Sequence, residues 1–446
     1  MTHAETHAET HAVVLGAGFA GLVTARVLAD HFTAVTIVER DDWAGVGPRR
    51  GVPQGRHAHA FLAKGYEILE TLYPGVTEEL FQDGARHVDF LADVRFGFHG
   101  HVLTQVPTGL QALLASRPFF EGHLRRRTLA LPNVRLLGDH EVTGVTTERR
   151  AVTGVRICPR GRDRERTLAA DLVVDCLGRS GRSTAWLDEL GFARPREERT
   201  RVDLTYASRH LRLSGTAPSG DRIVVVGAQP GRPTGLALSE QERGQWVLSL
   251  YGYGTHAPPA DPEGFLEFAR RLAPPDVWAV IRDAEPLDDV AVYRFAHCTR
   301  RRYDRLADLP AGMVAVGDSQ CSLNPVYGAG MTSAALQALA LGRCLRGMTP
   351  AMRAGKELPK HYYRASARLI TQPWWFSVLG DHLLPEVPGK RLPGMALIRR
   401  HLLRMLSAAE HDGYLATAVM EAFGLVAPAH RLVAPRALMH TWRPGR

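Results

Sequence analysis

The residues best suited to chemistry in this 446-residue chain fall into two glycine-rich turns nearly three hundred residues apart. The first is Gly16-Ala17-Gly18-Phe19-Ala20-Gly21, followed eighteen residues later by Glu39 and then Arg40. In a G-x-G-x-x-G turn the first glycine permits the tight bend, the second lets the backbone approach a pyrophosphate, and the third lets a helix pack close to a strand. The helix that begins there presents unpaired N–H groups and a positive dipole end to phosphate oxygens. An acid at position 39 is spaced to accept hydrogen bonds from the hydroxyls of an adenosine ribose. The chemistry is dinucleotide binding, with Gly16, Gly18, Phe19, Ala20, Gly21, Glu39 and Arg40 as candidate contacts. This motif alone leaves NAD and FAD both open.

The second turn bears on that choice. Gly317-Asp318 stands at an expected strand end, ahead of Pro325-Val326-Tyr327-Gly328-Ala329-Gly330-Met331. Asp318 can accept from a ribityl hydroxyl. Gly328 and Gly330 leave a helix N-terminus bare, where its dipole can stabilise negative charge on a reduced flavin ring. A nicotinamide dehydrogenase has no use for a second such nest, so the two turns together read as an FAD site. His57 and His59, in the Gly/Pro/Arg-rich loop 45–59, are candidates for polar roles near the ring or substrate, with plain packing as the competing explanation. Trp246, Tyr251 and Tyr253 are expected to share one side of a strand, packing a core or lining an apolar substrate cavity. Asp203 and Glu285 are expected to pair with local arginines. No nucleophile triad, paired carboxylates or metal-ligand spacing stands out, so neither a catalytic side chain nor a metal is assigned.

The elements that must position these residues follow from hydrophobic patterning. A strand, helix (22–30) and strand (35–38) enclose the first turn. Helices are expected at 60–72 and from 117 onward, with a strand at 134–137 and a small meander over 141–145 and 152–157. Continuous apolar runs at 170–175 and 313–318 read as buried parallel strands. From 202 to 253 alternating β-branched segments, including 223–226 and 246–251, suggest a mostly antiparallel sheet. Helices at 264–272 and 332–345 and a helical last hundred residues complete the reading. The expected fold class is α/β: a Rossmann-like FAD-binding domain from segments 11–85, 110–195 and 290–350, and a mostly antiparallel substrate-binding β-sheet domain from 86–109 and 196–289. A C-terminal helical region (351–446) and a flexible N-terminal tail (1–10) flank them.

Together with Arg117 and Asp175-Cys176-Leu177-Gly178-Arg179-Ser180-Gly181-Arg182, the two turns resemble the group A flavoprotein monooxygenases of the para-hydroxybenzoate hydroxylase and squalene epoxidase type, over roughly residues 11–345. The resemblance implies that Arg117 starts the helix near the FAD ribose and pyrophosphate. It sets Asp175 and Gly178 in the pyrophosphate region, Gly317 and Asp318 at the ribityl chain, and Pro325, Gly328, Ala329, Gly330 and Met331 at the flavin ring. Arg50-Gly51-Val52 resembles the stretch whose backbone meets that ring. Ser180 stands one place early for the family's D-x-x-G-x-x-S-x-x-R element, which leaves the electron donor open between NADPH and a partner flavin reductase. The resemblance further implies insertion of one oxygen atom from O2 through a flavin C4a-hydroperoxide, whose distal oxygen is electrophilic. The loop 50–59 and the segment 324–331 look like those of bacterial epoxidases of polyether polyketide biosynthesis. The implied function is epoxidation of alkenes in a polyketide or terpenoid precursor, an apolar small molecule. Hydroxylation of an aromatic natural product is the alternative, and an FAD-dependent dehydrogenase or prenyl reductase a further one. The W-x-W-x-I-P element of flavin halogenases is missing; Pro373-Trp374-Trp375 does not supply it.

Composition sets the remaining bounds. The formal charge of +9 comes from 55 cations of which only Lys64, Lys356, Lys360 and Lys390 are lysine. The arginines are scattered in short clusters rather than gathered in a stripe, which argues against nucleic-acid binding. Five widely spaced cysteines form no metal or disulfide pattern and suit a reduced, cytoplasmic compartment. The repeated Thr-His-Ala-Glu start has no apolar h-region, and no run reaches the ~18 apolar residues of a membrane span. The basic amphipathic segment 395–406 reads as a cover for a domain's apolar face, so membrane contact is not expected.

Overall fold

The computed structural model describes residues 10–42, 53–59, 61–214, 218–349, 352–353, 355–389 and 393–442. Most of the expected tail, and Arg50, Gly51 and Val52, lie outside the described residues. Five parallel strands form one sheet in the order Met313–Ala315, Leu172–Asp175, His11–Leu15, Ala34–Val38, Val134–Leu137. The continuous apolar runs of the four strands other than the edge strand Val134–Leu137 are buried on both faces, as parallel strands covered by helices must be. The helices Phe19–Ala29 and Ala329–Arg346 pack side by side over this sheet. Both begin three residues before the apolar periodicity indicates. The reason is that glycine itself supplies the N-cap, Gly18 in an extended conformation and Gly328 left-handed at φ +63°. The strand at 313 is shorter than expected, because Gly317 at φ +71° turns the chain into the one-turn helix Gly317–Ser319. The meander is a three-stranded antiparallel sheet of His140–Glu148, Ala151–Pro159 and Arg166–Ala169.

A nine-stranded sheet forms the other half. Its main path runs Cys321–Ser322, Ala291–Arg301, Glu197–Arg212, Trp246–Tyr253, Thr234–Glu240, Ile223–Val226, Val94–Phe98, His101–Val102, and Glu285–Pro286 pairs beside it. It is antiparallel except where Ile223–Val226 runs parallel to Val94–Phe98. The segment 290–350, grouped from sequence with the nucleotide-binding segments, supplies two strands to this sheet, the long Ala291–Arg301 and the short Cys321–Ser322. The alternating exposed and buried residues of Ala291–Arg301 mark a half-covered strand, unlike the apolar run at 313.

The nine-stranded sheet is covered on both faces. The outer face buries Leu238, Trp246, Leu248 and Leu250 against the helices Pro262–Leu272 and Pro275–Ile281. The inner face buries Tyr206, Tyr251 and Tyr253 in a cluster shared with Trp374 and Val378 of the helix Thr371–His382. The same cluster includes Met405 and Leu406 of Met395–Ala409, and Leu415 and Phe423 of Gly413–Phe423. The C-terminal helices thus share a core with the sheet.

Candidate cofactor and substrate site

The first glycine turn is built as its residue types require. Gly16 has φ +88°, and a Cβ on Gly21 would lie 1.9 Å from the Gly16 carbonyl oxygen. No other residue fits at either place. Glu39, buried at the end of its strand, accepts from the Ala17 N–H at 2.8 Å and the Asp41 N–H at 3.1 Å, while Arg40 beside it is exposed. The carboxylate therefore braces the turn from behind. Phe19 stacks on Phe120, and its N–H donates to Glu121 Oε1 at 3.1 Å. Arg117 Nε donates to the same oxygen at 2.8 Å. Ser116 caps that helix and is itself gripped by Glu242, in the turn between the strands Thr234–Glu240 and Trp246–Tyr253, so Arg117 is fixed from both sides. Glu121 was not found in the sequence, although its i,i+4 spacing from Arg117 is the usual mark of a helical ion pair.

Asp175 has no exposed surface, and all its bonds are internal. It accepts from the Leu177 N–H, the Ser183 N–H and hydroxyl, and the Ser319 hydroxyl. It ties the turn at Gly178 (φ +70°) to the turn at Gly317, whose Cβ would stand 3.0 Å from that of Ala20. Gly317 N–H donates to Gln337 Oε1 at 2.9 Å. These contacts bring Asp318 up to the first turn. Among the described residues no hydrogen bond reaches its side-chain carboxylate. Burial raises the Asp318 carboxyl above its ordinary range, opposed by the charges of Arg117, Arg179 and Arg301. A half-buried acid with no protein donor suits a ligand that brings hydroxyl donors.

Beyond it, Asn324 caps the one-turn helix Pro325–Tyr327, and Gly328 leads into Ala329–Arg346. Pro325 is exposed, Ala329 is buried and Met331 is half-buried. Among the described residues, nothing beyond its own helix and chain neighbours lies within 4 Å of a Cβ placed on Gly330, and no side chain caps this helix. Free N–H groups at the start of an 18-residue helix provide a place for negative charge. The structure therefore brings both glycine turns, Arg117 and Asp318 into one continuous region. Two helix N-termini, an acid without donors and an open glycine form a site that fits FAD.

The inner face of the large sheet adjoins this region. Cross-strand pairs Ser208–Ser249 and Tyr206–Tyr251 stand in register beside Leu204–Tyr253. Tyr251 and Tyr253 lie on this inner face, but Trp246 lies on the outer face against the two covering helices. Side chains alternate with period two, so residues five apart cannot share a face. This corrects the expected grouping of the three. His57 sits between the rings of Tyr206 and Tyr293, each about 6 Å away. Its Nδ1 is 2.7 Å from Ser208 Oγ, which is 2.6 Å from Ser249 Oγ, which accepts the Ala58 N–H at 2.9 Å. If each hydroxyl hydrogen is used once along this chain, Ser208 donates to Nδ1 and the proton rests on Nε2. That nitrogen is buried without a partner. Burial lowers the His57 pKa to about 4, so the ring is neutral at pH 7. His59 bonds through Nδ1 to the His57 carbonyl at 2.8 Å. Burial and the nearby Arg117 charge lower its pKa to about 3. Asp203 pairs with Arg201 and Glu285 with Arg212, as expected.

The profile described as FAD binding domain matches residues 9–372. The chain belongs to that family. It is 34% identical to Protein Rv3254 of Mycobacterium tuberculosis, over 97% of this chain and 94% of that one. Among solved structures, a flavoprotein/dehydrogenase from Cytophaga hutchinsonii superposes with a TM-score of 0.70 at 15% identity, covering 96% of each chain. p-Nitrophenol 4-monooxygenase PnpA from Pseudomonas putida DLL-E4 superposes with a TM-score of 0.66 at 16% identity, covering 93% of this chain and 98% of that one. Family and fold thus make the chain an FAD-binding protein with the fold of these flavoproteins. Among the described residues, no helix is long and apolar enough to cross a membrane, and no group of acids, histidines and cysteines gathers as a metal site.

Proposed function

We propose that this flavoprotein inserts one oxygen atom from O2 into an alkene of an apolar polyketide or terpenoid precursor. The observation that carries the reading is the continuity of the site: two glycine-led helix N-termini, with Asp318 between them, open toward a sheet face made of tyrosine rings. Gly16, Gly18, Phe19, Ala20 and Gly21 would hold the pyrophosphate, with Arg117 beside it and Glu39 and Arg40 at the ribose. Gly317 and Asp318 would hold the ribityl chain, and Gly328, Ala329, Gly330 and Met331 the ring end, with Pro325 ahead of them. Asp175 and Gly178 position these turns. Bound there, the flavin supplies the redox chemistry that activates O2, with electrons from NADPH or from a partner reductase in the cytoplasm. The protein's part is to orient the substrate and exclude water. His57, through its neutral Nε2–H, would donate a hydrogen bond to an oxygen of the substrate or ring. Tyr251 and Tyr253 would line the apolar wall.

Hydroxylation of an aromatic natural product is a second reading, favoured by the aromatic face of Tyr206, Tyr251 and Tyr253, whose rings meet tilted and edge-on, and by the named activity of the Pseudomonas putida neighbour. One experiment addresses both. The holoenzyme is incubated with reductant, labelled dioxygen and paired panels of polyenes and phenols. Label in an epoxide supports the first reading, and label in a phenol hydroxyl the second. Substrate turnover without label in any product would overturn both and leave a dehydrogenase or prenyl reductase.

A further inference from the structure

The buried polar groups left unused by this reading concentrate where the helix Thr371–His382 meets the turn Pro325–Tyr327 and the strand Trp246–Tyr253. Asp381 has no exposed surface. Its Oδ1 accepts from Asn324 Nδ2 at 2.7 Å, from the Tyr327 hydroxyl at 3.1 Å and from the Tyr253 hydroxyl at 3.2 Å. Its Oδ2 is buried with no hydrogen-bond partner. Gly380 makes room for this arrangement, since a Cβ there would lie 2.3 Å from the Tyr327 hydroxyl. Asn324 in turn accepts the Val326 N–H at 3.0 Å. A single carboxyl therefore grips both ends of the turn that leads through Gly328 to the open helix start.

Such a carboxyl is a poor resident anion. One oxygen is fully served and the other is bare, and the group stands in the last turn of its helix, at the negative end of the dipole. Burial pushes its pKa up to about 7, against the pull of the three hydrogen bonds. The titratable groups facing it are Tyr206, Tyr251, Tyr253, Tyr327 and Cys298. Burial raises every one of them, so they stay neutral while Asp381 changes charge.

We propose that Asp381 is a positioning residue for the flavin end of the site. Through Asn324 and Tyr327 it fixes the turn ahead of Gly328–Gly330, and its ionisation strengthens that grip. The inference rests on the reading that FAD occupies this region. Ionised, Oδ1 is a stronger acceptor for all three donors; protonated, it holds them less tightly. The surroundings of a flavin ring at the helix start should therefore depend on pH.

The test follows the visible absorption of FAD bound to the holoenzyme through acid, neutral and mildly alkaline pH. The wild type is expected to show a spectral transition with a midpoint of about 7. Asp381→Asn, which keeps an acceptor oxygen and cannot ionise, is expected to retain FAD and lose the transition. Tyr327→Phe removes a donor to the ionised form, so its midpoint is expected to rise by roughly one pH unit. A transition unchanged in Asp381→Asn, a midpoint that falls in Tyr327→Phe, or a wild-type spectrum flat across this range would overturn the proposal. A wild type that takes up no FAD at all overturns the cofactor reading too, which keeps the two failures apart.

Discussion

At the scale of single residues, glycines mark the site by two different physical demands, and substitution can separate them. Gly21 is required by the protein itself, because a Cβ would collide with the Gly16 carbonyl. Gly330 has open space around its Cβ position among the described residues, as a ligand approaching the helix start requires. Gly21→Ala is expected to lower the melting temperature of apoprotein and holoenzyme alike. Gly330→Ala is expected to leave the apoprotein's melting temperature unchanged and to weaken FAD binding by roughly tenfold, a loss of about 1.4 kcal/mol. Flavin fluorescence titration beside thermal denaturation measures both. His57 supplies a second residue-scale prediction. Its folded pKa of about 4 lies below the ordinary histidine value of 6.5. Between those values the unfolded chain binds a proton that the folded chain refuses. Stability is therefore expected to fall as pH drops from 6.5 toward 4, by up to roughly 1.4 kcal/mol per pH unit from this residue. Urea unfolding at neutral pH and at pH 5 should show the loss, and His57→Gln should reduce it.

At the scale of elements, the strand Trp246–Tyr253 divides two roles between its faces. Trp246 fills the outer core with Phe265, Leu272 and Val277, far from the tyrosine face. Trp246→Ala is expected to cost about 3–5 kcal/mol of stability, as large-to-small changes in packed cores do, with KM unchanged at a temperature where the variant is folded. Tyr251 accepts the Ala228 N–H at 3.0 Å and faces inward. Tyr251→Phe is expected to change KM more than stability. Equal effects of the two substitutions on KM would contradict the assignment of the inner face to substrate. The alternation that separates these side chains is legible in the sequence, since 246 and 251 differ by an odd number. Which face meets the cofactor region is not, because both faces are apolar and helices cover each.

At the scale of the whole molecule, the C-terminal helices are part of the core. Met405, Leu406, Leu415 and Phe423 are buried together with Phe90, Phe96 and Tyr206. Ending the chain before Met395 is expected to expose that face, with strong binding of a hydrophobic dye and loss of soluble protein. A truncated chain that stays soluble and retains FAD with wild-type affinity would show the helices to be dispensable. Outward from this core, Leu397 of the helix Met395–Ala409 and Met439 of the helix Pro435–Trp442 are largely exposed, while Arg400 and Arg404 stack on Trp442.

The sequence by itself determined both glycine turns, the parallel strands that carry them and the acids at 39 and 318. Each is a demand of consecutive backbone: a positive φ, an excluded Cβ, or an apolar run buried on two faces. Only the tertiary structure decided which buried groups meet. Glu121 joins Arg117 to the Phe19 N–H, Ser208 and Ser249 orient His57, and Asp381 grips Asn324 and Tyr327. Hydrogen bonds across 102, 151 and 57 residues of chain have no local backbone signal. Their partners are assigned when packing removes water and a buried polar group must find another.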